Sequence, residues 1–303
     1  MRKLYHVCLS SGNEVMFRSE SDYVRGFNCL AVALHRTSSS LLADSFMSNH
    51  FHICVESSDV RELMFRYRAA YSRYFNSKYF RRGPLGEKCP FVIDVVGVYH
   101  RLAALSYTFR NALHHGVAPT PFAYRHNSAN AIFRTELGKF VDEELLPREA
   151  YYRYLPDKAD VPSGYRMNKS GLLLRESVVD VSQVEFIYGS PRNFLFYMNR
   201  LSGEEWEREQ QKENGPAISL GSIELGSKMN DVSAMLSNEH GRGNYNAMSD
   251  VDLCQLIDGK YLHSYGVRSV YELDLKSKQN IANELWRELH IGRDKIERCL
   301  VLP

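Results

Sequence analysis

Apolar positions recur along the first half of the chain with two different periods. Short runs of apolar and β-branched residues predict four strands, and apolar residues at helical spacing between them predict three helices. Only two residues separate the second and third strands, so we expect an antiparallel hairpin there. The order strand-helix-strand-strand-helix-strand-helix predicts an α+β fold, with an antiparallel sheet covered by helices on one face. The predicted strands are residues 4–9, 41–46, 49–56 and 91–96, and the predicted helices are 21–35, 60–79 and 99–114.

The pattern is weaker after residue 130. Residues 136–157, interrupted at Pro147, and residues 193–213 have helical spacing, whereas 215–226 and 238–246 are polar, contain glycine and predict loops. We therefore predict a mainly helical C-terminal extension that also contains loops.

Two further predicted helices lie near the end of the chain. Residues 277–289 and 293–300 are joined by a tight turn with Gly292, which is the plan of a helix-turn-helix pair and also of any two-helix hairpin. Contact of this pair with DNA is one of two open interpretations. The predicted domains are 1–135, 136–248 and 249–303.

The net charge of +2 over 303 residues is unevenly distributed. Residues 1–135 have 17 Lys and Arg against 9 Asp and Glu, whereas residues 136–303 have 21 against 27. A basic first half favours contact with a polyanion. No run approaches the ~18 apolar residues of a membrane span and the first residues are too polar for a signal peptide, so we expect a cytoplasmic protein. Six cysteines without a C-x-x-C pair favour reduced thiols over a zinc ribbon.

The sharpest local feature is the H-x-H pair, His50 and His52. Successive side chains of a strand alternate faces, so both imidazoles project to one side and could share one metal ion. The alternative is a pair of surface or hydrogen-bonded histidines, and a third ligand is needed to favour the metal.

A third ligand is available on the last predicted helix of the first half. Tyr107 and Asn111 are four residues apart and therefore lie on one helix face. The amide oxygen of Asn111 could complete a three-ligand site for Mg²⁺ or Mn²⁺, with the imidazoles favouring Mn²⁺. Tyr107 would then be a nucleophile beside a Lewis acid, although the chain has nineteen tyrosines and most must have packing or surface roles.

Four segments in order carry a family resemblance. They are Tyr5-His6-Val7, the sequence MSNHFH at 47–52, the block from YFN at 74–76 to RGPL at 82–85, and SYTFRNALHHG at 106–116. Together they resemble the single-tyrosine HUH transposases of small insertion sequences (IS200-like), and most closely the REP-associated tyrosine transposases. The resemblance covers a little under half of the chain.

The resemblance implies a fold and a set of roles. It implies a ferredoxin-like HUH core, a divalent ion on His50 and His52, the nucleophile at Tyr107 and the third metal ligand at Asn111. Members of this family cleave and rejoin single-stranded DNA at hairpins of palindromic repeats through a 5′-phosphotyrosine intermediate. We therefore expect DNA hairpins as partners, Mg²⁺ or Mn²⁺ as cofactor, nucleoid association, and a monomer or a homodimer.

The chain departs from the family pattern at four positions. Ser48 and Ala112 stand where proline is usual, and both changes concern backbone shape rather than chemistry. His114 and His115 replace a more basic pair, which predicts altered phosphate contacts.

Basic residues interleaved with aromatic ones predict a surface for single-stranded nucleic acid. About half of these side chains are equally compatible with an ordinary helix that has a packed aromatic face and solvated arginines. The predicted phosphate contacts are Arg73, Lys78, Arg81, Arg82 and Arg110, with the Arg81-Arg82 pair as the strongest candidate.

Two alternatives stay open. A domesticated protein could bind repeats without cutting them, although it would not need His50, His52, Tyr107 and Asn111 together. A phosphodiesterase that uses water as the nucleophile would tolerate Tyr107→Phe, whereas a strand transferase would not.

Overall fold

The computed structural model describes residues 2–140, 143–227, 231–241 and 248–303. Over these residues the chain is an α+β protein with a four-stranded antiparallel sheet and many helices, which confirms the predicted fold class. The strands are β1 (Lys3–Ser10), β2 (Ser40–Phe46), β3 (His50–Ser57) and β4 (Phe91–Asp94).

Three long helices accompany the sheet, and shorter ones follow. The long helices are α1 (Glu20–Arg36), α2 (Val60–Tyr79) and α3 (Val98–His114). The others are α4 (Arg175–Val178), α5 (Val181–Tyr188), α6 (Pro191–Asn199), α7 (Glu204–Gln210), α8 (Leu220–Glu224), α9 (Val232–Glu239), α10 (Asp250–Leu256), α11 (Leu275–Leu289) and α12 (Arg293–Leu300). Short 3₁₀ helices lie at Pro121–Ala123, Ala129–Ala131, Arg148–Arg153, Pro156–Lys158 and Val270–Glu272, and a π-helical turn at Ile257–Tyr261.

The strand order is β2-β3-β1-β4, and every neighbouring pair is antiparallel. The units β1-α1-β2 and β3-α2-β4 are therefore split β-α-β units, each enclosing one strand of the other. In this register Cys8 lies opposite His52 and Ser10 lies opposite His50.

Helices cover both faces of the sheet, which differs from the prediction of helices on one face. The Phe51 ring of β3 packs 4.9 Å from the Tyr67 ring of α2. The next residue points the opposite way, and the His52 ring lies 5.3 Å from the Tyr107 ring of α3. Both faces of β3 are therefore buried: α2 packs on the Phe51 face, and α3 covers the opposite face, which carries His52.

The C-terminal extension caps the first turn of α3. Gly97 precedes this helix with a φ of 105°, and a Cβ there would collide with the carboxylate of Glu213. That carboxylate accepts hydrogen bonds from the backbone N–H groups of Tyr99 and His100, each at 3.0 Å. The start of α3 is therefore held by a residue more than one hundred positions away.

The second half of the chain differs most from the prediction. In the described part of 136–157 the backbone forms 3₁₀ helices and turns instead of the predicted helix, because Pro147 interrupts the segment. Residues 193–213 form two helices separated at Gly203, and the predicted loop 215–226 contains α8. The predicted loop 238–246 lies partly outside the described residues.

Two large hydrophobic clusters, besides a small one around Ala112, stabilise the described part of the fold. The larger one joins the sheet and α1–α3 to apolar residues of the extension as far as Met235. The second is formed by α10–α12 together with Val15, and α11 and α12 lie at the two predicted helix positions near the end of the chain. None of the described helices is long and apolar enough to cross a membrane.

Candidate active site

His50 and His52 project from the same side of β3 and are buried, with 1% and 0% of their surface exposed. The Nδ1 of His50 lies 2.9 Å from Asn49 Oδ1, and the Nδ1 of His52 lies 3.1 Å from the Nε2 of His6 on β1. The Nε2 atoms of both residues are buried without a hydrogen-bond partner among the described residues. Both imidazoles are therefore held through one nitrogen while the other is available.

Burial keeps these imidazoles neutral. It lowers the pKa of His50 and of His6 to about 3, and it lowers the pKa of His52 well below the ordinary value. A neutral imidazole has a lone pair on one ring nitrogen, which is the form that binds metal ions.

Helix α3 brings Tyr107 and Asn111 to the same place. They are one turn apart, and the Nδ2 of Asn111 donates to the Tyr107 hydroxyl at 3.3 Å. The Tyr107 ring packs against the rings of His52 and His6, at 5.3 and 5.9 Å, and is only 1% exposed. The Oδ1 of Asn111 is a further buried atom that finds no partner in the part of the chain described.

The four residues singled out in the sequence therefore lie together. Three of them, His50, His52 and Asn111, each present one buried ligand atom with no hydrogen-bond partner within the described ranges. A buried polar atom left unpaired costs about 1–3 kcal/mol, so a cation bound to these three atoms would offset that cost. Two imidazole nitrogens and one amide oxygen are a donor set that fits a divalent cation.

The sequence interpretation missed the carboxylate of Glu224, at the end of α8. Its Oε1 lies 3.2 Å from His115 Nε2 and 3.6 Å from His52 Nε2, and it accepts a hydrogen bond of 3.2 Å from Asn111 Nδ2. One ligand atom each of His50, His115 and Glu224 lies within 4.8 Å of the others, so this group could also hold a metal ion. Glu224 lies in a polar segment predicted as a loop, and nothing in that segment's pattern connects it to the histidines.

Glu224 and His52 do not form an ion pair at neutral pH. Burial raises the pKa of Glu224 to about 8, and burial also keeps His52 uncharged. The contact is therefore one between two neutral groups in the absence of a cation.

A second carboxylate of the extension meets the other side of α3. Glu239 lies 2.9 Å from Arg110 Nη2 and 2.8 Å from His114 Nε2, and it accepts a hydrogen bond from Ser202 Oγ at 2.7 Å. Burial alone would raise the pKa of Glu239, but the hydrogen bond of His114 and the charge of Arg110 outweigh it and lower the pKa to about 2. This cluster attaches α9 to α3.

Three of the positions that depart from the family pattern contact carboxylates of the extension. Ser48 donates to Asp250 at 2.5 Å, and His114 and His115 contact Glu239 and Glu224. The fourth, Ala112, packs against Met47 and Ala118 instead. The extension thus contacts the site through Ser48, His114 and His115.

An open cleft of about 550 Å³ lies next to the histidines. Its lining joins Asn49 and His115 to Arg298, whose guanidinium also pairs with Asp250 at 2.8 Å. The cleft is open to solvent and meets the candidate site at His115 and Asn49.

Most of the predicted phosphate contacts are paired within the chain. Arg82 is exposed, and its side chain makes no hydrogen bond or ion pair among the residues that the structure describes. Arg110 is buried against Glu239 and does not face solvent. The other three pair with carboxylates: Arg73 with Asp157, Lys78 with Asp22 and Arg81 with Glu14. The roles of all five residues in DNA binding stay predictions.

Comparison with known proteins gives little support for the family resemblance. No protein-family model matches this chain, and no curated protein matches it. Among solved structures, a REP-associated tyrosine transposase bound to a REP hairpin matches with a TM-score of 0.37 and 8% sequence identity, over 46% of this chain and 79% of that chain. A likeness of this size carries no argument about function, and the family resemblance stays a hypothesis.

Proposed function

We propose that this protein is a divalent-metal-dependent strand transferase for single-stranded DNA, with Tyr107 as its nucleophile. The observation that carries the proposal is the cluster that His50, His52 and Asn111, each with a buried potential ligand atom, form around Tyr107. A binding surface alone has no use for this combination. The site supports the hypothesis of a single-tyrosine HUH enzyme on a ferredoxin-like core, whose strand order is that of the observed sheet.

Each side chain has a separate task in this proposal. His50, His52 and Asn111 hold Mg²⁺ or Mn²⁺, which when bound polarises the scissile phosphate. Asn111 also donates to the Tyr107 hydroxyl and orients it. The phenol oxygen forms a bond to phosphorus as its proton leaves, the bond to the 3′ oxygen breaks, and that oxygen takes up a proton to become a free 3′ hydroxyl. The products are a 5′-phosphotyrosine and a strand end that can rejoin it.

The substrate is a DNA hairpin with a single-stranded cleavage site. Arg82 is exposed and the lining of the cleft includes Lys295 and Arg298, so both offer positive charge to the DNA backbone. The interpretation of Arg73, Lys78 and Arg81 as phosphate contacts requires DNA to displace or share their carboxylate partners. The active form is a monomer or a homodimer.

The deciding experiment incubates the full chain with MnCl₂ or MgCl₂ and a labelled library of single-stranded hairpins. We expect a covalent protein–DNA adduct that maps to Tyr107 and is absent in Tyr107→Phe. Tyr99→Phe, on the same helix, is the matched control and should form the adduct. Cleavage that survives in Tyr107→Phe without any adduct would replace this proposal with a water-using phosphodiesterase.

A second candidate is a repeat-binding protein that no longer cleaves. One observation favours it, namely that Tyr107 is 1% exposed and a carboxylate of the extension occupies the adjacent space. Tight hairpin binding with neither cleavage nor adduct in either metal would support this candidate.

A further inference from the structure

The segment 219–227 of the extension is seated on the histidine-bearing side of the sheet. Its last turn approaches the strands so closely that a Cβ on Gly226 would lie 2.5 Å from Phe91 Cβ and 3.0 Å from Cys8 Cβ. Ser10 on β1 also donates to the Ser227 carbonyl at 3.4 Å. Glycine is therefore required for the approach, and the approach places the neighbouring Glu224 against β3 and α3.

The Glu224 carboxylate is held in a defined orientation. Its Oε2 accepts a hydrogen bond from Ser227 Oγ, which leaves Oε1 directed at the site. The carboxylate is fully buried, with 0% of its surface exposed.

The distances around Oε1 are those of hydrogen bonds and are also compatible with atoms that share a cation. Ligands that bind a metal at about 2.0–2.2 Å lie roughly 3 Å from one another. Oε1 is 3.2 Å from His115 Nε2 and 3.6 Å from His52 Nε2, and the Nε2 of His52 has no hydrogen-bond partner in the described ranges.

The charge of the site gives an independent reason to include Glu224 among the metal ligands. The ligands His50, His52 and Asn111 are all neutral when they bind, so they offer a divalent cation no negative charge. Affinity for hard divalent ions rises with the number of charged ligands. Among the described residues, Glu224 is the carboxylate near both histidines: its Oε1 lies 3.6 Å from His52 Nε2, and one of its oxygens lies within 4.8 Å of a ring nitrogen of His50.

We propose that Glu224 completes the coordination of the cation held by His50, His52 and Asn111, and that metal binding thereby fastens segment 219–227 over Tyr107. The inference rests on the proposed metal site and extends it to the C-terminal half of the chain. Two imidazoles with one carboxylate favour Mn²⁺ over Mg²⁺. A DNA phosphate must then take the place of the Glu224 carboxylate before Tyr107 can attack.

The first test measures MnCl₂ binding to the full chain by isothermal titration calorimetry, without DNA. We expect Glu224→Gln, which preserves shape and removes charge, to weaken Mn²⁺ binding about tenfold or more. Glu213→Gln removes a carboxylate from the other end of α3 and should bind as the wild type does. Glu224→Asp retains the charge on a shorter side chain and should have an intermediate affinity. Circular dichroism establishes that each variant is folded.

A second readout follows backbone hydrogen exchange in segment 219–227. Mn²⁺ should slow exchange there in the wild type and leave it unchanged in Glu224→Gln. Equal Mn²⁺ affinity in wild type and Glu224→Gln, with binding lost in His50→Ala, would overturn the role of Glu224 and leave the metal site intact. No Mn²⁺ binding by the wild type would instead overturn the metal site of the proposed function.

Discussion

The two faces of the sheet are equally buried but have opposite chemistry. The apolar face, formed by Val7, Leu9, Phe51 and Ile53, packs under α1 and α2, and each of these residues is 0% exposed. The histidine face, formed by His6, His50, His52 and Cys54, packs under α3 and segment 219–227, and it has unpartnered ring nitrogens in the described structure. The apolar face stabilises the fold, whereas the histidine face costs stability and holds the candidate ligands. The difference in chemistry places the candidate site on one side of the sheet.

The largest effect should come from the apolar face. Phe51→Ala removes a ring that packs 4.8 Å from Phe46 and 4.9 Å from Tyr67, and we expect it to lower the free energy of unfolding by about 4 kcal/mol. Urea unfolding followed by circular dichroism measures this. Phe186→Ala, at a side chain that is 86% exposed, is the control and should change stability by less than about 0.5 kcal/mol. Similar losses in both would mean that the apolar face is not the core.

Breaking the ion pair between Arg110 and Glu239, which attaches the extension to α3, should have the next largest effect on stability. Glu239→Gln leaves the buried Arg110 guanidinium without its counter-charge, and we expect a loss of about 3 kcal/mol in the same unfolding assay. The double variant Arg110→Met with Glu239→Leu should recover most of that loss. A double variant as unstable as Glu239→Gln would contradict the explanation by an unpaired charge.

Metal should stabilise the chain through the histidine face. MnCl₂ at one hundred times its dissociation constant should raise the free energy of unfolding by about 2.7 kcal/mol, because it binds the folded state alone. The increase should be reversed by a chelator and absent in His52→Ala. Stabilisation that persists in His52→Ala would place the ion elsewhere.

His114, which contacts Glu239 of α9, should make stability depend on pH. Burial lowers the pKa of His114 more than Glu239 raises it, so the folded chain keeps this imidazole neutral at a pH where the unfolded chain, with a pKa of about 6.5, becomes protonated. The stability that depends on it is present above pH about 6.5 and declines as the pH falls. We expect His114→Gln to reduce the loss of stability between pH 7 and pH 5.5, and the exposed His35→Gln to leave it unchanged. A steeper decline in His114→Gln would contradict this.

The smallest structural effect should accompany the largest functional one. Tyr107→Phe removes a hydroxyl whose described hydrogen bond is one of 3.3 Å from Asn111, so we expect a stability change below about 1 kcal/mol together with complete loss of the covalent DNA adduct. Unfolding of the variant would mean that loss of the adduct says nothing about catalysis.

Local periodicity was enough to predict the elements that hold the candidate site. A period of two on β3 predicts that His50 and His52 share a face, and a period near four on α3 predicts the same for Tyr107 and Asn111. Both are set by the backbone of a single element, so no distant contact enters the prediction. The same approach was wrong for 136–157, where Pro147 ends the apparent helical pattern, and for 215–226, where α8 forms in a polar segment because it packs on the sheet.

The sequence by itself determined the α+β class, the elements of the first half and the four residues of the candidate site. Only the tertiary structure decided that α3 covers the face opposite α1 and α2, that Arg110 is buried against Glu239, and that Glu224 reaches Asn111 from 113 residues away. These outcomes depend on which buried surfaces meet and which charges can be paired, and both are properties of contacts between distant segments. A local pattern contains no information about them, because it records only which side of its own element each residue occupies.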